Sequence, residues 1–233
     1  MTHPLDNVIW SALTTVQSPL STPLSIGDER ARRFDPRYAG FAALPDESPA
    51  NFAALAGLLR AGEGASIVAV GDVEPGPLFE VVARKNLVQM VGATSGEAAD
   101  TARFVVLGAD DVPEMTALVR LTEPGPWFER SSELGRFLGF KADGRLVAMA
   151  GERLRVPGHT EISGVCCHPD FRGRGLAADL MRCVSQGIVA RGETPFLHVI
   201  AENTGAIALY EKLGLRVRHR RRLTLLKRSD PAA

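Results

Sequence analysis

The stretch His168-Pro169-Asp170-Phe171-Arg172-Gly173-Arg174-Gly175-Leu176-Ala177 has the residue types of an anion grip. Glycine removes the Cβ that would hold the backbone away from an anion. A helix start offers bare N–H groups and roughly half a positive charge. Arg172 or Arg174 can add a charge-assisted hydrogen bond, and pyrophosphate is an occupant of the right charge. The stretch lacks G-x-x-x-x-G-K-[ST], which removes the nucleoside-triphosphate loop. With only Gly173 and Gly175, it also leaves the dinucleotide fingerprint G-x-G-x-x-G unmet. Arg172, Gly175 and Ala177 are spaced as Arg-x-x-Gly-x-Ala. The same residues also fit a glycine-rich turn that caps a helix, and their spacing alone does not choose.

To aim N–H groups at one point, the stretch must lie between a strand and a helix. Thr160 to Cys167 reads as the strand, and Leu176, Leu180 and Val184 fall on one face of the helix. Around this unit the pattern predicts a strand at 103–107, a capped amphipathic helix through Met115, Leu118 and Val119, and strands at 137–141 and 145–156. Asp143-Gly144 joins the last two as a hairpin. Pro195 to Ile200 reads as a buried strand, Asn203 to Leu213 as a helix stopped by Gly214, and Leu215 to Leu226 as one or two final strands.

Upstream, Leu5, Val8, Ile9, Ala12, Leu13 and Val16 recur at helical spacing, and Ser48-Pro49 opens a second helix. Ala65 to Val70 reads as a strand, whereas Leu78 to Val91 fits helix and strand equally. Gly92 to Thr101 is small and polar and makes a boundary. The expectation is an α/β protein, a mixed sheet flanked by helices in three layers, with a companion region at 1–100 and the principal domain at 101–233.

Composition excludes several classes. The chain has 233 residues, with 27 basic and 27 acidic side chains and a formal net charge of zero, so nothing points to nucleic acid. No apolar run reaches the roughly 18 residues that cross a bilayer. The N-terminus lacks the charged start and apolar core of a signal peptide. Cys166, Cys167 and Cys183 form no C-x-x-C, so they read as packed thiols in a reducing cytoplasm. Cys166 and Cys167 are adjacent in a strand and should face opposite sides. His168 and His198 lack a partner at metal-ligand spacing, and no metal is expected.

The second informative segment is Asn203-Thr204-Gly205-Ala206-Ile207-Ala208-Leu209-Tyr210-Glu211-Lys212-Leu213-Gly214-Leu215. Together with the anion grip it resembles the GNAT superfamily of acyl-CoA-dependent N-acyltransferases over about residues 102–228. The segment matches that family's N-x-x-A-I-x-L-Y-x-x-L-G-F helix, with Leu215 in place of the usual aromatic. The wording from Glu161 to Asp170 further resembles the branch that includes glycine N-acyltransferases. Residues 1–100 carry no such motif.

The resemblance implies an enzyme that moves an acetyl or short acyl group from acyl-CoA to a primary amine by direct attack on the thioester. The alternative it leaves is a non-catalytic acyl-CoA sensor. It implies that Arg172, Gly173, Arg174, Gly175, Leu176, Ala177 and Ala178 hold the pyrophosphate. Val165, Cys166 and Cys167 would pair with pantetheine as an added strand, and an N–H there, at Val165, would polarise the thioester carbonyl. Asn203 and Ala206 would flank pantetheine, and Asn203 also sits at an N-cap position.

Tyr210 occupies the position whose phenol protonates the departing thiolate, and Glu161 is the candidate base, its pKa raised in a partly dry cleft. Trp127 and Phe128 lie on the loop where this fold builds its acceptor lid. The acceptor is a small-molecule or peptide amine, and a homodimer is left open. The arginines from Arg216 to Arg222 fit either an acidic ligand or a solvated edge strand protected by charge.

Overall fold

The computed structural model describes residues 3–94 and 101–229. Helix α1 (Val8–Thr14) starts where the Asn7 side chain accepts the Trp10 N–H, and it buries Val8, Ile9, Ala12 and Leu13. A short ribbon pairs β1 (Arg32–Arg33) with β2 (Ala42–Ala43). Helix α2 (Pro49–Gly57) begins at the expected proline. The remaining elements are β3 (Gly64–Ala69), β4 (Phe79–Val91), β5 (Val105–Leu107), α3 (Val112–Thr122), β6 (Phe137–Ala142), β7 (Arg145–Val156), β8 (His159–Cys167), α4 (Leu176–Ala190), β9 (Thr194–Ile200), α5 (Thr204–Lys212) and β10 (Arg216–Arg228).

Eight strands form one sheet in the order β3-β10-β4-β9-β8-β7-β6-β5. Every pairing is antiparallel except that of β8 with β9. Helices α4 and α5 cover one face, where Leu180, Met181, Val184 and Ile188 pack on Met90, Ala148 and Leu197. The other face is covered by α1 and the chain after it, packed on Leu154 and Phe196, and by α3, packed on Met149 and Cys166. Cys166 and Cys167 do face opposite sides of the sheet. This is the expected three-layer mixed sheet.

Position in the sheet explains why β4 resisted reading. Its C-terminal part lies between β10 and β9 and is covered on both faces, so Leu87, Val88, Gln89 and Met90 are buried in succession. A buried run without alternation fits helix and strand alike.

The expected boundary at residues 92–101 lies partly in 95–100, outside the described residues. It is not a division of the sheet. Strands β3 and β4, from the region without a motif, pair with β10 along most of their length, and β4 pairs with β9 from Leu87 to Val91.

The decisive local feature is the parting of β8 from β9. Their parallel pairing consists of His159↔Thr194, Thr160↔Pro195 and Glu161↔Phe196. Past Glu161, β8 turns away. Against β7, Cys166 pairs with Met149 and Ser163 with Gly151, which leaves Gly164 and Val165 opposite one residue. That is a β-bulge, and Gly164 holds it at φ +63°.

A Cβ on Gly164 would also stand 3.0 Å from the Phe137 ring. Both reasons for glycine, backbone and packing, therefore apply at once. Gly164→Ala is expected to cost about 1–2 kcal/mol in chemical denaturation. A loss below about 0.5 kcal/mol would show that the bulge relaxes without this conformation.

Candidate acyl-transfer site

A cavity of about 620 Å³ occupies the gap between the parted strands. Its wall includes Val165 and Cys167 of β8 and Leu197 to Ile200 of β9. It runs through the sheet. Ala206, Leu209 and Tyr210 line it on the α5 side, and Ile9, Phe41 and Leu134 on the other.

At the α4 end, Gly173 and Gly175 adopt φ +75° and +77°. The N–H groups from Gly173 to Ala178 have no hydrogen-bond acceptor among the described residues. A row of bare donors at the start of a 15-residue helix is an anion site by geometry and by dipole. Arg172 and Ala177 also line the cavity. Leu176 and Ala178 turn their side chains into the core, so only their backbone faces outward. Arg172 Nε donates to the Cys167 carbonyl at 3.4 Å. Arg174 donates to the Asp170 carbonyl at 3.1 Å and stacks over Phe171. Of the two arginines, Arg172 is the one on the cavity wall.

Helix α5 is tightly anchored at both ends. Asn203 Oδ1 accepts the Ala206 N–H at 3.1 Å, so its cap role is real, and the residue also lines the cavity. At the other end Gly214 N–H bonds Glu211 O and Leu215 N–H bonds Tyr210 O, with Gly214 at φ +102°. This is a Schellman stop. Between these ends Tyr210 faces the cavity, and burial pushes its phenol pKa up. Its proton is therefore held at neutral pH and available for donation.

Glu161 differs from expectation. It is fully buried at the last paired position of β8, behind the cavity wall. Arg153 grips it with two hydrogen bonds, Nε at 2.7 Å and Nη2 at 3.0 Å, and His198 Nδ1 donates to it at 2.8 Å. Burial alone would raise its pKa; Arg153 and His198 overcome that and hold it at about 2. The raised carboxyl pKa expected of a base is absent because three donors stabilise the charged form.

His198 does line the cavity. Gln89 approaches its Nε2 at 3.1 Å through an amide whose orientation is determined: Arg218 donates to Gln89 Oε1 at 2.9 Å, and Gln89 Nε2 donates to the Leu5 carbonyl at 3.1 Å. His198 is thus the Nδ1–H tautomer, and its Nε2 lone pair is engaged by Gln89.

Of the aromatic pair on the loop, Trp127 lines the cavity, with its indole N–H on Thr116 and its ring edge-on to Phe137. Phe128 is not part of the wall. It packs against Gly40, and its N–H donates to Ser131, whose hydroxyl reaches the Tyr38 carbonyl. Phe128 fastens the loop to the N-terminal chain.

The arginines of β10 are corrected. The strand is paired on both sides and is no edge. Arg218 binds Asp6, Arg222 binds Asp72, and Arg221 donates to the Leu5 carbonyl.

Sequence reasoning missed Arg153 and Gln89, and the N-terminal wall of Ile9, Phe41, Ser66 and Val68. The hairpin at Pro157-Gly158 was a usable signal for Arg153, since it brings residues near 153 and 161 side by side. Nothing local marks the others. Among the described residues no cluster of three His, Cys, Asp or Glu could hold a metal, and no helix is long and apolar enough to cross a membrane.

A parted parallel strand pair, a bare helix start and a cavity between them form the kind of site that the resemblance to the acyltransferase superfamily implies. Comparison agrees. A family profile described as FR47-like protein matches residues 137–223. The ribosomal protein bS18-alanine N-acetyltransferase of Salmonella typhimurium is 32% identical over 115 residues, covering 47% of this chain and 77% of that protein.

A crystal structure from Novosphingobium aromaticivorans, described as an acetyltransferase of the GNAT family, is 44% identical. It superposes with a TM-score of 0.89 over 98% of this chain and 100% of its own. A GCN5-related N-acetyltransferase from Kribbella flavida shares the fold over 97% of this chain, at 17% identity and TM-score 0.61. The chain belongs to the GNAT superfamily, and it is an acyltransferase enzyme.

Proposed function

We propose that the protein transfers an acetyl or other short acyl group from acyl-CoA to a primary amine, which attacks the thioester directly. The observation that carries this reading is the cavity where β8 leaves β9, flanked by the bare N–H row of Gly173–Ala178 and by Tyr210. Pyrophosphate sits on that row, with Arg172 beside it. Pantetheine runs along Val165–Cys167, past Asn203 and Ala206. An N–H at the bulge, that of Val165, polarises the thioester carbonyl.

The amine nitrogen bonds to the carbonyl carbon and the C–S bond breaks. The sulfur leaves with the electron pair and takes the Tyr210 proton. The attacking nitrogen sheds a proton that restores Tyr210, so that from an ammonium ion the products are the amide, CoA thiol and one proton released to solvent. Glu161 acts as a positioning residue that holds Arg153 and His198.

With Glu161 and the His198 lone pair both engaged, the nucleophile is the neutral fraction of the acceptor. Its ordinary pKa is near roughly 10, so kcat/KM is expected to climb about tenfold per pH unit below that value. A plateau reached below about pH 8 would reveal a base on the enzyme. The function is tested by CoA-thiol release from acetyl-CoA with a panel of amines. Stabilisation by acetyl-CoA with no amine-dependent release would leave a sensor and sink the enzyme mechanism.

A further inference from the structure

The inner end of the cavity, beyond the sheet, is walled by Ile9, Phe41, Val68, Leu134 and Leu223, an apolar chamber that the N-terminal half helps to build. A strong donor on this cavity wall is Arg153. Two guanidinium nitrogens hold Glu161, and the group lies 5.2 Å over the Phe41 ring. The third nitrogen, Nη1, has no acceptor among the described residues and is not enclosed. The Ser66 hydroxyl, on the same wall, is also without a partner there. A planar guanidinium whose Nη1 carries two spare N–H groups, beside apolar surface, fits a carboxylate joined to an apolar body.

We propose that the acceptor is a free apolar amino acid. Its carboxylate lies on Arg153 Nη1 and its apolar part on Phe41, Val68 and Leu134. This rests on the acyl-CoA reading above and deepens it. The N-terminal half adds Ile9, Phe41 and Val68 to the wall beyond the sheet, where an acceptor polypeptide would need an open path.

The test measures CoA-thiol release from acetyl-CoA with leucine and phenylalanine, their decarboxylated amines, glycine, and a short peptide with a free N-terminal alanine. Leucine and phenylalanine are expected to exceed their decarboxylated amines by roughly tenfold or more in kcat/KM, the effect of one charge-assisted hydrogen bond. Arg153→Lys keeps a cation for Glu161 and removes the fork, and it is expected to erase that preference while acetyl-CoA still stabilises the protein.

Should Arg153→Lys not fold, Val68→Phe fills the chamber from β3. It is expected to raise KM for phenylalanine roughly tenfold and to change that for glycine little. Preference for the decarboxylated amines or the peptide, or a Val68→Phe variant with unchanged KM for phenylalanine, would overturn the acceptor assignment alone. Absence of release with every amine would overturn the acyl-transfer reading as well.

Discussion

Tyr210→Phe is expected to lower kcat by roughly a hundredfold or more while acetyl-CoA binds nearly as well as to the wild type. The substitution removes one oxygen and leaves the ring that packs on the α4/α5 core. Helix α5 keeps its Asn203 cap and its Schellman stop, neither of which uses the phenol. What is lost is a proton donor at the cavity wall, held in its protonated form by burial. A thiolate with a parent pKa near roughly 8.5 leaves poorly without one. The defect should ease when the donor thioester is replaced by one with a more acidic thiol. A variant within about threefold of wild-type kcat would remove Tyr210 from the chemistry.

Glu161→Ala is expected to destabilise the fold by about 3–5 kcal/mol, because it leaves the Arg153 guanidinium in the sheet interior without its carboxylate. The same pair predicts an acid dependence. The folded pKa, about 2, lies below the ordinary 4.5. The carboxylate therefore contributes its full stability above about pH 4.5, and that contribution fades as pH falls toward 2. Its size is about 3 kcal/mol at neutral pH. Denaturation midpoints measured from pH 7 to pH 3 should fall more steeply for the wild type than for Glu161→Gln. A folded Glu161→Gln variant that loses activity only through a shifted pH profile would instead return Glu161 to the role of base.

The anion grip and helix α5 were legible because they are local. Glycines at 173 and 175, a following amphipathic helix, and the Asn203–Leu215 segment are set by backbone conformation and helix-end chemistry within short stretches. The cluster around Glu161 was not legible. Glu161, Arg153, His198 and Gln89 come from β8, β7, β9 and β4, and their meeting depends on strand order. A lone glutamate in a strand gives no sign of whether a guanidinium or water will face it, and that difference decides between ion-pair partner and base. Trp127 and Phe128 were likewise equivalent as neighbours in a loop; packing on Gly40 separated them.

The sequence by itself determined the strand–grip–helix unit, the second helix with its cap and stop, and through them the superfamily. These follow from periodicity, glycine conformation and helix-end chemistry, all set within a dozen residues. Only the tertiary structure decided that β4 enters the sheet between β9 and β10, and that α1 and β3 line the far side of the cavity. It also decided that Glu161 is held as a buried anion. Those outcomes depend on contacts between residues up to two hundred positions apart, whose strength comes from burial and charge pairing rather than from any local pattern.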